Sequence, residues 1–257
     1  GGEQAEIRSA LLSAIADELR QWDTLDILPV RADSELERDL RNAFSSRCFR
    51  LQMYFFSANW REYVDGYRSY MDARPTKLRN TIRRRRRKLS ERHSYVVDVC
   101  DESPSASQIR AYHDVYEASW KQPEPYPEFL DAMMRAAAAR GSLRLGFLFL
   151  DGIAVAVQVW IVENGSGFIY KLAHRPEHSE FSVGTLLTEE MVRYVIEHDG
   201  VKTLDFLTGD DNYKATWMDT RIELRGVRIH NRRRLGGLAL ELLERSSRRV
   251  RNAFEER

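Results

Sequence analysis

LRLGFLFLDGIAVAVQVWIVENGSGFIYKL, residues 143–172, holds three β-prone runs divided by two glycine turns. Asp151-Gly152 is a strong hairpin signal, and Asn164-Gly165-Ser166-Gly167 makes a second. Ile153, Val155, Val157, Val159 and Ile161 alternate and are expected on one face. The residues between them are also largely apolar, as interior strands require. The expectation is an antiparallel meander.

Downstream, the spacing of Leu187, Met191 and Val195 predicts a helix from Gly184 to about His198, which Gly200 ends. Val201–Leu207 is a further strand, so the order is β-β-β-α-β. A short helix near Asn212–Trp217, a strand Ile222–His230 and an amphipathic helix with Leu235, Leu238 and Leu242 complete the chain. Upstream, Ile7, Leu11, Ile15, Leu19 and Trp22 mark a first helix, and Leu25–Val30 a strand. Asp33-Ser34 with Glu37 caps a helix reaching Phe44, and Phe49–Phe56 is β-prone. Pro75 opens a helix carrying Leu78, Ile82 and Leu89, and Tyr95–Val99 is a strand. Two helices, about 106–120 and 127–140, are parted by Pro123, Pro125 and Pro127. The polar stretch Asp101–Ser107, with Pro104, is the expected boundary between two domains, 1–100 and 101–257.

At 257 residues and 43% apolar content the chain has material for a well-buried core. No apolar run approaches the ~18 residues that span a bilayer, and Gly1-Gly2, followed by Glu3, Glu6 and Arg8, does not resemble a signal peptide. Cys48 and Cys100 are the only cysteines, with no CxxC spacing, which suits a reducing compartment and argues against thiolate metal ligation. The location expected is the cytoplasm. Forty basic and 39 acidic side chains leave a formal charge of +1, so no general pull toward nucleic acid or anionic membrane exists.

A loop leading into a helix near Gly184 presents unpaired N–H groups and the positive end of a helix dipole, a geometry that suits phosphate. In Ser179-Glu180-Phe181-Ser182-Val183-Gly184-Thr185, Ser182 and Thr185 can donate to an anion and Gly184 permits close approach. Most Ser/Gly helix starts are nevertheless simple caps.

Four motifs in order carry a family resemblance: Trp22–Leu28, Lys77–Arg84 (KLRNTIRR), Ser182–Leu187 (SVGTLL) and Asp205–Lys214 (DFLTGDDNYK). Together with the order β-β-β-α-β they resemble the GNAT acyltransferases, and more narrowly the CelD/BcsL-like branch related to the Fem peptidyl transferases. The resemblance covers about residues 25–230. It implies an α/β (α+β) fold, a GNAT-like mixed sheet with the meander and splayed parallel strands, in two GNAT-like halves. The first half is expected to be incomplete, because the branch usually carries further strands before the region of Trp22; Val183 stands where the branch usually has Pro.

By similarity, Phe168–Leu172 would splay from Leu204–Leu207 to admit a pantetheine arm along Leu172, with the pyrophosphate on Ser182, Val183, Gly184 and Thr185. The donor implied is acyl-CoA or an acyl-phosphopantetheine carrier, with no metal, and the acceptor an amine. Such chemistry needs a neutral amine, an oxyanion donor and an acid for the departing thiolate. Tyr213 resembles the acid of many GNAT enzymes. Asp210, or Asp205, is a candidate base, and Lys214 pairs with Asp210 or touches a donor phosphate. The alternative is that these Asp and Lys residues only cap the short helix and hold the loop. His174, with its near-neutral pKa, is a second candidate base. Its i,i+4 spacing to His178 suggests a metal pair, but the intervening Pro176 opposes a helix there.

Arg83–Lys88 is either a solvated face with structural ion pairs or a grip for a polyanion. Some of these side chains must face the stripe of Leu78, Ile82 and Leu89, where a partner carboxylate or a ligand anion is required. Arg232–Arg234 and Arg248-Arg249 are expected in solvent. Trp120, Tyr126 and Phe129 are candidate acceptor-side residues, whereas Trp160 and Trp217 are expected in the core. The leading function is N-acyl transfer to an amine. The alternatives are Fem-like transfer from aminoacyl-tRNA and a non-catalytic binding module of the same fold.

Overall fold

The computed structural model describes residues 2–255, and side chains as far as Ser246; the side chains of Arg248 and Arg249 lie outside the described residues. Contacts divide the chain into two compact units, Gly1–Asn59 with Ile222–Arg257, and Trp60–Arg221.

In the first unit, α1 (Gly2–Glu18), β1 (Thr24–Arg31), α2 (Glu35–Ala43) and the larger part of β2 (Phe49–Tyr63) come in sequence, and the chain returns to it much later. Ser34 caps α2, accepting from the Glu37 N–H, while the Glu37 carboxylate accepts from the Asp33 N–H at 2.9 Å. Leu12, Leu19, Leu40 and Phe44 bury themselves against Val30, Val227 and Ile229.

The second unit runs through α3 (Tyr67–Ala73), α4 (Thr76–Ser90), β3 (Tyr95–Cys100), α5 (Ala106–Glu117), α6 (Pro127–Ala139), β4 (Leu143–Leu150), β5 (Ile153–Glu163) and β6 (Ser166–His174). A 3-10 turn (Pro176–Phe181), α7 (Val183–Glu197), β7 (Thr203–Thr208) and a second 3-10 turn (Lys214–Thr216) follow. Its strands lie in the order β7-β6-β5-β4-β3. All neighbours are antiparallel except β6 and β7, which are parallel. This is the mixed sheet with a meander that the resemblance implies. Tyr112, Val115, Leu130 and Met134 of α5 and α6 cover one face. Tyr70, Ile82, Leu187, Met191 and Val195 of α3, α4 and α7 cover the other. Burial on both faces explains why the strands read as near-continuous apolar runs.

Two expectations are corrected. The units do not divide at Asp101–Ser107, because β3, just before that loop, pairs with β4 beyond it, Tyr95 opposite Leu150 and Cys100 opposite Leu145. Nor do the β5 valines share a face. Leu148 pairs with Ala156 and Phe149 with Ala154, so Val155 is the extra residue of a bulge. Val155 therefore joins the α7 side while Val157 and Val159 face α5, and Ile153 is exposed.

The chain returns to the first unit through β8 (Thr220–Asn231) and α8 (Leu235–Glu255). There β1 and β8 pair antiparallel, Thr24 opposite His230, and β2 lies on the far side of β8. A Cβ on Gly237 of α8 would stand 2.2 Å from the Asn231 carbonyl and 2.7 Å from that of Asp23. Both neighbours are backbone and cannot swing aside. Gly237→Ala is expected to destabilise the protein by about 2 kcal/mol or more, read as a lowered thermal midpoint; an unchanged midpoint refutes this packing. Among the described residues, no helix is long and apolar enough to cross a membrane.

Candidate functional site

The parallel strands part. β6 and β7 pair at Ser166–Thr203, Gly167–Leu204 and Phe168–Asp205 and no further. Each strand has a local device at that point. In β6, Val159 pairs with Lys171 and Trp160 with Ile169, so Tyr170 is an extra residue that bends the strand. In β7, Leu207 takes φ 52°, and the buried Asp205 carboxylate holds that turn by accepting the Leu207 N–H at 2.8 Å. Leu172 lies on the part of β6 that β7 has left, opposite Gln158 of β5.

The start of α7 is uncapped by any side chain. Ser182 sits in the left-handed region at φ 54° and makes no capping hydrogen bond. The N–H groups of the first turn thus lack intrahelical acceptors and carry the positive end of the dipole, which fits a phosphate. The Val183 side chain is fully buried, leaving only its backbone for such a contact. Gly184 is required by a neighbour, since a Cβ there would come within 2.8 Å of His174 Cδ2. His174 ends β6, beside Trp120 at a ring distance of 4.5 Å. Its burial lowers the imidazole pKa, so the ring is neutral near pH 7.

Tyr213 reaches the same helix. Its hydroxyl lies 2.9 Å from Thr188 Oγ1, and Thr188 in turn donates to the Gly184 carbonyl at 2.9 Å. Gln158 Nε2 donates to Thr188 Oγ1 at 2.7 Å, and Trp160 Nε1 donates to Gln158 Oε1 at 2.8 Å. Gln158, Thr188 and Trp160 are at most 2% exposed, so this is a satisfied polar chain inside an apolar core. Burial pushes the Tyr213 pKa well up, opposed by the Thr188 bond, and the phenol stays protonated at any ordinary pH.

The remaining sequence candidates stand apart from that chain. Asp210 is exposed on the loop, where Arg221 Nε donates to it at 2.8 Å and Trp60 Nε1 at 3.3 Å. The Arg221 bond holds its carboxyl below the usual carboxylate range, the reverse of what a proton acceptor needs. Lys214 does not pair with Asp210. Its ammonium donates to the carbonyls of Phe206 at 2.7 Å, Leu207 at 3.0 Å and Thr208 at 3.1 Å. An ammonium has three donors, and all three are spent on the end of β7. Lys214 is therefore a clasp for the turned strand, with burial lowering its pKa, and has no donor left for a phosphate. Ser182, Val183, Gly184 and Thr185 form one turn with His174 and Tyr213 near it, while Asp205 and Lys214 shape β7.

His174 ends β6 whereas His178 lies within the 3-10 turn Pro176–Phe181, so the two do not share a helix. Among the described residues no group of three or more His, Cys, Asp or Glu side chains is placed to hold a metal ion. In the arginine helix α4, Arg86 pairs with the buried Glu189 and, at 2.6 Å, with Glu190 of α7. That is the partner the apolar stripe demanded. The opposite side of α4 is basic, and Lys77, Arg83, Arg84 and Arg87 line an open hollow of about 650 Å³. Trp120, Tyr126 and Phe129 are exposed, at 56%, 73% and 61%, whereas Trp160 and Trp217 are core.

Sequence reading passed over Gln158 and Thr188. Gln158 had a signal, being the lone polar residue in AVAVQVW, and a buried amide requires partners. Thr188 had none beyond its i+4 distance from Gly184.

A parallel strand pair that opens beside an uncapped helix start, with a tyrosine hydroxyl set against that helix, is the arrangement expected of an acyltransferase of the GNAT type. Residues 76–215, more than half of the chain, match the family model described as an acetyltransferase (GNAT) domain, and the protein belongs to this family. Among solved structures, the C-terminal domain of a putative lysylphosphatidylglycerol synthetase from Agrobacterium fabrum is similar over 91% of this chain and 75% of its own, with TM-score 0.60 and 12% identity. FemX is similar over 84% of this chain and 76% of its own, at TM-score 0.58 and 11% identity. A tandem GNAT protein from the clavulanic acid biosynthesis pathway is similar over 85% and 68%, at 0.52 and 14%. At such identities the likeness is one of fold. No curated protein matches the chain.

Proposed function

We propose that the protein transfers an acyl group from acyl-CoA or an acyl-phosphopantetheine carrier to an amine, as a member of the CelD/BcsL-like branch of its family. The observation that carries this reading is the parting of β6 and β7 beyond Phe168 and Asp205, beside the first turn of α7. The gap suits an extended arm laid along the backbone of β6 at Leu172. Backbone N–H groups of Val183, Gly184 and Thr185, with the Ser182 hydroxyl, suit its pyrophosphate.

In this reading a neutral amine attacks the thioester carbonyl carbon. Tyr213, kept protonated by burial, gives its proton to the departing thiolate. His174, neutral near pH 7, is the better base, and Asp210, tied to Arg221, holds the loop. Trp120, its ring tilted against that of His174 at 4.5 Å, marks the acceptor side.

Titration calorimetry with CoA is the direct test. Saturable binding that Gly184→Asp weakens about 10²-fold supports the reading, and no heat with CoA or with a phosphopantetheine-loaded carrier protein rejects it. A second reading is transfer from aminoacyl-tRNA, favoured by the basic side of α4; binding of tRNA with no binding of CoA would select it. CoA binding without acyl transfer to a broad amine panel would instead indicate a non-catalytic module.

A further inference from the structure

Thr188 Oγ1 has one proton and two lone pairs. In the structure its proton goes to the Gly184 carbonyl, one lone pair receives the Gln158 amide at 2.7 Å, and Tyr213 stands 2.9 Å away at the other. The phenol proton is accordingly aimed at Thr188, into the core. A half-buried phenol whose oxygen faces the core becomes a poorly solvated anion when it releases its proton, unless a donor meets it. Thr188 is the hydroxyl in reach of Tyr213, and rotation about its Cβ–Oγ bond carries its proton from the Gly184 carbonyl to the phenolic oxygen. Gly184 O keeps the Gln158 amide at 3.4 Å when that happens. Gln158 cannot follow the rotation, because its own oxygen is fixed by Trp160 Nε1 at 2.8 Å.

We infer that Thr188, anchored by Gln158, is a positioning residue for acid catalysis, a hydroxyl that switches its donor bond from Gly184 O to Tyr213 as the phenol gives up its proton. The inference rests on the reading of Tyr213 as the acid. In the balanced step the amine nitrogen bonds to the carbonyl carbon, the carbon–sulfur bond breaks, and sulfur takes the Tyr213 proton as the O–H bond breaks. Thr188 donates to the phenolate so formed. The proton shed by the new amide nitrogen, passed through the base and solvent, restores the phenol. The direction of the Thr188 effect on Tyr213, opposing the rise that burial causes, agrees with this role.

Thr188→Val keeps the shape and removes the donor. Turnover is expected to fall about tenfold or more, the worth of a hydrogen bond to a charged group. CoA affinity by calorimetry should remain as in the unsubstituted protein, and Thr188→Ser should recover turnover to within about threefold of it. In a Tyr213→Phe background, Thr188→Val should cost nothing further, since the two residues act as one unit. Losses that simply add, or a valine variant with full turnover beside an inactive Tyr213→Phe, overturn the inference and leave the Tyr213 reading standing. Full turnover in Tyr213→Phe overturns both. Should the valine variant not fold, nuclear magnetic resonance on the unsubstituted protein decides. The Tyr213 hydroxyl proton, identified by its loss in Tyr213→Phe, is expected to exchange slowly with water and to lie close to the Thr188 methyl. A freely exchanging proton, remote from that methyl, overturns the inference.

Discussion

Tyr213→Phe lowers turnover by about 10²-fold or more and leaves CoA affinity nearly unchanged, because the hydroxyl acts on the leaving thiolate and not on the resting donor. The ring is retained, and with it the stacking on Phe206 at a centroid distance of 6.0 Å, so the loop keeps its shape. Loss of one hydrogen bond to Thr188 is a small cost to stability, about 1 kcal/mol. The pH dependence has a definite sign. A solvated tyrosine loses its proton near pH ~10, whereas burial moves Tyr213 upward, so activity should not decline through the ordinary tyrosine range. Steady-state kinetics with a saturating donor measures both effects, and turnover equal to the unsubstituted protein removes Tyr213 from the chemistry.

Gly184→Asp weakens donor binding by about 10²-fold, the second large effect expected. Two causes act together. The new Cβ would lie 2.8 Å from His174 Cδ2, forcing either the ring or the helix start to move, and the carboxylate would stand at the positive end of α7 where phosphate is to bind. Gly184→Ala introduces the same overlap without the charge and separates the two contributions. Calorimetric affinity for CoA equal to that of the unsubstituted protein would dissociate the helix start from donor binding, whatever the activity.

The dependence of these two residues on one network has a consequence for engineering the site. Gly184 offers its carbonyl to Thr188, Thr188 meets Tyr213, and the Gly184 Cα lies against His174. Substitutions within this set are expected to couple rather than add. Asp210 lies outside it, bound to Arg221 and Trp60.

The sequence by itself determined the meander, the helix from Gly184, the following strand and the DFLTGDDNYK box, and through them the family. These are features of local origin. Asp-Gly and Asn-Gly turns, apolar runs long enough for interior strands, and the periodicity of Leu187, Met191 and Val195 are written in neighbouring residues. The tertiary structure alone decided three things. It showed that Val155 bulges out of alternation, since a bulge is set by what the neighbouring strand offers and not by the strand's own pattern. It set the Lys214 ammonium on the carbonyls of Phe206, Leu207 and Thr208, where the sequence left open a pairing with Asp210, a phosphate contact or a loop-holding role. A cation's partner is fixed by chain path, and β7 brings three acceptors to one ammonium. And it joined Gln158, Thr188 and Tyr213, separated by 30 and 25 residues along the chain, because a buried amide must find partners wherever the fold presents them.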